Sequence, residues 1–91
     1  MNMIELGGSI FLENFETIEQ GQLIVVRKVV GNYTKKISEK HEDFKKITVT
    51  IVPETKFKVK VTLELAETKE AEAENPNLFF ALDQALAKVS E

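Results

Sequence analysis

The sequence predicts an α+β fold: a two-layer sandwich in β-α-β-β-β-α order, with a four-stranded mixed sheet and both helices on one face. Three observations predict it. Residues 47–65 alternate apolar and polar side chains in two successive runs, the period of strands with one buried and one wet face. Residues 18–40 repeat apolar side chains at helical spacing. A second helical stripe follows Asn75-Pro76-Asn77.

The first strand is read from the even-numbered apolar residues Ile4, Leu6, Ile10 and Leu12. It runs from about Met3 to Leu6, bends or bulges at Gly7-Gly8, and extends to Leu12. No lysine-terminated glycine motif accompanies the pair, so a phosphate loop is not indicated.

Thr17-Ile18-Glu19-Gln20 has the spacing of a capping box, and the helix is expected over Ile18 to Lys40. Leu23, Val26, Val30, Tyr33 and Ile37 form its core stripe, with Val29 at the edge. Gly21 and Gly31 each cost about 1 kcal/mol relative to alanine. Gly21 suggests a later start, and Gly31 is expected to admit a neighbouring helix. Lysines near the C-terminal end suit the macrodipole. His41-Glu42-Asp43-Phe44 reads as a loop. His41 has no histidine or cysteine partner, so it reads as a surface residue and not a metal ligand.

The meander follows. Ile47, Val49 and Ile51 alternate with threonines, and Phe57, Val59, Val61, Leu63 and Leu65 alternate with polar residues. With Pro53-Glu54-Thr55 as the loop, Ile51 is expected opposite Phe57, Val49 opposite Val59 and Ile47 opposite Val61. The fourth strand, Thr68 to Glu74, is expected to place Ala71 opposite Leu63 and Ala73 opposite Val61. The same register sets Lys58 near Thr50, Lys60 near Thr48 and Glu74, Thr62 near Lys46 and Glu72, and Glu64 by Glu70. That polar face is either a solvated sheet surface that deters aggregation or a binding surface with Lys58 and Lys60 as its positive part.

In the last helix Asn75 is the expected cap and Pro76 the first helical residue. Leu78, Phe79, Leu82, Ala85, Leu86 and Val89 make the core stripe. Phe80 falls on the face that should be wet, with Ala87 beside it on the wheel, and Ile24 and Val25 lie off the first helix's stripe. Either Phe80 is covered by the N-terminal segment through Phe11 and Phe15, or these residues form an interaction surface.

A strand–helix–strand unit prefers a right-handed crossover, which makes strands one and two parallel if they are adjacent. The expected core is Leu6, Val26, Val30, Tyr33, Ile37, Ile47, Val49, Ile51, Val59, Val61, Leu63, Phe79, Leu82 and Leu86.

At 91 residues the chain is expected to form one small domain, 1–91. It has no cysteine, which removes disulfides, thiolate metal sites and thiol nucleophiles and fits a reducing cytoplasm. No apolar run is long enough to span a bilayer, and no secretory leader is expected. The net charge of −3 argues against a dedicated, sequence-blind nucleic-acid binder.

Ala71-Glu72-Ala73-Glu74 ahead of Phe79-Phe80-Ala81-Leu82-Asp83, together with Ile4-Glu5-Leu6-Gly7 and the element order, resembles the ribosome hibernation-promoting factor family. Those are small ribosome-associated translation inhibitors with a β-α-β-β-β-α domain, in which an alternating strand precedes tyrosine-alanine-alanine-isoleucine-aspartate. The likeness covers nearly the whole chain as architecture. The chain also resembles small archaeal proteins of unassigned function. The family resemblance implies a place in the small-subunit channel, with basic side chains against ribosomal RNA; no cofactor is expected. It makes Lys28, Lys35, Lys36, Lys40, Lys45 and Lys46 the RNA-binding candidates, followed by Lys58 and Lys60. The last helix departs from the family in having only Lys88 as a basic residue, and no counterpart of the long-form ribosome-dimerisation tail is expected.

Two other RNA-binding folds fit less well, lacking here a glycine-x-x-glycine loop in one case and a basic start to the last helix in the other. The leading expectation is therefore a non-catalytic, ribosome- or RNA-associated module. The alternative is a protein-interaction module or homodimer using Ile24, Val25, Phe80 and Ala87 or a sheet edge. An enzyme is not expected: Glu64, Glu70, Glu72 and Glu74 lie on an open face that offers little to perturb a carboxylate.

Overall fold

A computed structural model describes residues 3–6 and 8–90. The elements are β1 (Met3–Leu6), β2 (Ile10–Glu13), α1 (Gln20–Lys40), β3 (Lys46–Pro53), β4 (Phe57–Glu64), β5 (Thr68–Asn75) and α2 (Leu78–Val89). The five strands form one mixed sheet in the order β1-β2-β3-β4-β5.

The expected first strand is two strands. β1 and β2 pair antiparallel, with Ile4 opposite Leu12 and Leu6 opposite Ile10. The chain reverses through a turn in which Gly8 takes φ +81, a left-handed value that favours glycine. Gly7 lies outside the described residues. A strand bent at the glycines and a hairpin turned there keep the same apolar phase, so alternation alone did not separate them. The sheet therefore has five strands, not four. β2 and β3 pair parallel, Ile10 with Ile47 and Leu12 with Val49, and α1 forms the connection between them.

The meander keeps the expected faces but slips by two residues. Ile51 pairs with Val59, Val49 with Val61, Ile47 with Leu63, and Pro53 with Phe57. On the other side Ala71 pairs with Val61 and Ala73 with Val59. The β3–β4 loop is Glu54 to Lys56, closed by a 3.3 Å bond from the Glu54 N–H to the Lys56 carbonyl. Proline can end a strand as readily as sit in the loop. A slip of two leaves every side chain on its face, whereas a slip of one would have inverted the sheet.

Helix α1 starts at Gln20. Glu19 occupies its cap without a side-chain bond, so the capping box at Thr17 is not formed. His41 closes the helix, its N–H donating to the Ile37 carbonyl at 2.9 Å. Thr34 is the one buried polar residue among those described, and its hydroxyl donates to the Val30 carbonyl at 2.7 Å. That bond satisfies the hydroxyl inside the core. No neighbouring helix approaches Gly31, and a Cβ added there would meet nothing within 4 Å. In α2 the cap is Asn77, not Asn75. Its Oδ1 accepts from the N–H groups of Phe79 (2.9 Å) and Phe80 (3.3 Å). Asn75 instead accepts from the Asn77 N–H, bracing the approach.

Val26, Val30 and Ile37 of α1 and Leu78, Ala81, Leu82, Ala85, Leu86 and Val89 of α2 share one core with Ile47, Val49 and Ile51 of β3 and Val59, Val61 and Leu63 of β4. Both helices thus cover the same face of the sheet. Leu12, Phe15, Leu65 and Ala73 join that core, while Leu6, Tyr33 and Phe79 pack at its edge.

Candidate nucleic-acid interface

The chain's 12 Lys/Arg and 15 Asp/Glu are unevenly placed. Helix α1 carries Arg27, Lys28, Lys35, Lys36 and Lys40 against Glu39 alone. Seven cations and fourteen acids remain for everything else. A chain that is acidic overall therefore holds one basic helix.

The candidate lysines do not converge. Lys28 and Lys35 are two helical turns apart on the exposed side of α1, and Lys36 and Lys40 lie on the flank toward α2. None of these four pairs with a described carboxylate. Lys45 is exposed ahead of β3, where its N–H donates to the Glu64 carbonyl at 2.8 Å.

Lys46, Lys58 and Lys60 lie on the opposite, helix-free face of the sheet. Each is paired: Lys46 with Glu64 at 3.4 Å, Lys58 with Glu72 at 3.4 Å, and Lys60 with Glu70 at 3.8 Å. Lys46 also sits 5.4 Å from the centre of the Phe11 ring. The backbone neighbours differ from expectation because of the slip: Lys58 lies opposite Val52 and Glu74, Lys60 opposite Thr50 and Glu72, Thr62 opposite Thr48 and Glu70, and Glu64 opposite Lys46 and Thr68. Glu5, Glu13 and Glu74 share this face. Carboxylates outnumber lysines there, and exposed pairs of this kind stabilise little, about 0–1 kcal/mol. The face suits solvation better than contact with a polyanion.

Lys88 donates to the Glu72 carbonyl at 2.9 Å. Its ammonium thus sits on strand β5, which ends the sheet, where charge discourages strand addition. Asp43 accepts the Ala66 N–H at 3.0 Å, and that bond holds its carboxyl below the ordinary carboxylate range.

Tyr33 joins the helices through its hydroxyl, which donates to Asp83 Oδ1 at 2.7 Å. Beyond it the C-terminal ends of α1 and α2 line a cavity of ≈ 280 Å³ formed by Tyr33, Lys36, Ile37, Glu39, Lys40 and Ser90. Sequence reasoning named these lysines but not the cavity. The signal it lacked was the pairing of two helix ends that lie far apart in the chain.

Phe80 is 62% exposed, and Ile24 (55%) and Val25 (43%) are exposed as well. Phe15 is buried in the core and Phe11 lies beneath Lys46, so neither aromatic covers Phe80. Ala87 is exposed two turns further along α2. No group of histidine, cysteine or carboxylate side chains suited to a metal occurs among the described residues. No helix among them is long and apolar enough to cross a membrane.

No protein-family model and no curated protein matches this sequence. The fold is similar to the solved structure of a ribosomal subunit interface protein from Coxiella burnetii, at 15% identity and a TM-score of 0.58. The match covers 90% of this chain and 87% of that one.

Proposed function

We propose that residues 1–91 act as one non-catalytic, ribosome- or RNA-associated module in the cytoplasm, of the translation inhibitor-like kind, with α1 as its RNA-facing element. The observation that carries this reading is the basic helix α1, whose cations pair with no described carboxylate, on an otherwise acidic chain. Lys28, Lys35, Lys36 and Lys40, joined by Arg27, are free to neutralise phosphates. Lys46, Lys58 and Lys60 are already held by carboxylates and drop to a minor role. Lys45 is an accessory contact. The fold-level likeness to a ribosomal subunit interface protein supports the ribosome as the source of RNA, with the small subunit as the first target to test.

The test is co-sedimentation with purified ribosomal subunits at rising salt. Wild-type protein pellets at about 50 mM salt and is released by about 200 mM, as counterion release requires. Lys28→Gln with Lys35→Gln weakens pelleting, and Lys58→Gln with Lys60→Gln leaves it unchanged. Failure of the wild type to pellet at low salt overturns the proposal.

The exposure of Phe80 favours a second reading, a homodimer or protein contact through α2. Sedimentation velocity across a concentration series tests the homodimer. Self-association lost in Phe80→Lys supports it, and a monomer throughout removes it.

A further inference from the structure

We propose that the cavity between the C-terminal ends of α1 and α2 is a subsite for one unpaired nucleotide of an RNA strand. This rests on the RNA-associated reading and assigns a specific place to it. The cavity, ≈ 280 Å³, lies near the lower end of small-ligand sites, which begin at about 300 Å³. It offers three kinds of surface. Tyr33 and Ile37 supply an aromatic and an aliphatic wall, the chemistry on which an unstacked base settles. Lys36 and Lys40, one helical turn apart, supply two ammonium groups that pair with no described carboxylate, and Glu39 is the one acid among the described lining residues.

The third surface is an oxygen acceptor. The Ser90 hydroxyl donates its only proton to carbonyls of its own helix, at 2.7 Å to Leu86 and 3.3 Å to Ala87. Its oxygen is left to accept, and a ribose 2′-hydroxyl is a donor that DNA does not have. The Tyr33 hydroxyl is committed to Asp83, which fixes the ring before anything binds and reduces the ordering cost of binding. A base held in a duplex cannot enter a slot between two helix ends, so the subsite selects single-stranded or looped RNA.

Tyr33 is the only tyrosine and the chain has no tryptophan, so its fluorescence reports on this cavity directly. The experiment titrates the full chain with a single-stranded oligouridylate and follows tyrosine emission at low and moderate salt. The expected result is saturable, salt-sensitive quenching. Lys36→Gln with Lys40→Gln weakens affinity by about tenfold as two phosphate contacts are lost. Lys28→Gln with Lys35→Gln, outside the cavity, also weakens affinity but reaches the wild-type quenching amplitude at saturation. Unchanged emission from wild-type protein that still pellets with ribosomal subunits overturns the subsite and leaves the basic-helix reading standing. Quenching untouched by the Lys36/Lys40 variant also overturns it. Loss of both quenching and pelleting overturns the RNA reading itself.

Discussion

The Tyr33 hydroxyl lies 2.7 Å from Asp83 Oδ1, across fifty residues of sequence, and ties α1 to α2. The bond to Asp83 pushes the ionisation of Tyr33 above its ordinary 10.0, with desolvation and the aspartate's charge acting in the same direction. The folded state therefore favours the neutral phenol. The stabilisation is fully present below the unfolded value near 10.0 and is lost as pH rises through the higher folded value. Because this is the only tyrosine, an ultraviolet titration of the phenolate reads it without overlap. The midpoint lies above 10.0 in the wild type, and Asp83→Ala returns it toward that value. A midpoint unmoved by Asp83→Ala shows that the bond does not form in solution.

The two helix starts make a contrasting pair. Asn77 accepts from two backbone N–H groups of α2, so Asn77→Ala costs about 1 kcal/mol. Thr17 lies outside α1, whose cap residue makes no side-chain bond, so Thr17→Ala changes stability by less than about 0.5 kcal/mol. Urea denaturation of both variants checks this. Comparable losses would mean that the box at Thr17 forms after all.

What the sequence showed, and what it hid, follows from which constraints are local. Burial sets the phase of a strand, and the inward faces of β3 and β4 were legible because Ile47, Val49, Ile51, Val59, Val61 and Leu63 alternate without interruption. Loop geometry sets the register. Pro53 can end a strand or open a loop, and that ambiguity moved every partner by two. The lysines were legible as residues but not as a site. Whether Lys58 and Lys60 are free depends on Glu72 and Glu70 arriving diagonally from β5, which only the true register reveals. The charge of α1 lies within one element, so it can be read without knowing the strand register.

The phenylalanines divide in a way that stability can test. Phe15 is 1% exposed and packs in the shared core, whereas Phe80 is 62% exposed. Phe15→Ala removes a buried ring and costs about 3–5 kcal/mol. Phe80→Ala removes little buried surface and changes stability by less than about 0.5 kcal/mol in dilute solution. Thermal or urea unfolding of the two variants at low protein concentration measures the difference. A large loss for Phe80→Ala that grows with protein concentration would instead reveal a second copy covering α2.

Gly31 offers a stabilising change. It lies inside α1, where glycine is about 0.8–1.0 kcal/mol less favourable than alanine because its unfolded backbone has more freedom to lose. A neighbouring helix would have justified that cost, but a Cβ at Gly31 meets nothing within 4 Å. Gly31→Ala therefore raises stability by about 0.5–1 kcal/mol, an increase set largely by the unfolded chain. The denaturation midpoint should rise with an unchanged denaturant slope, since the folded surface is nearly the same. A fall in the midpoint would mean that Gly31 meets a partner in solution. If ribosome pelleting weakened in the same variant, that partner would be placed beside Lys28 and Lys35, on the face assigned to RNA.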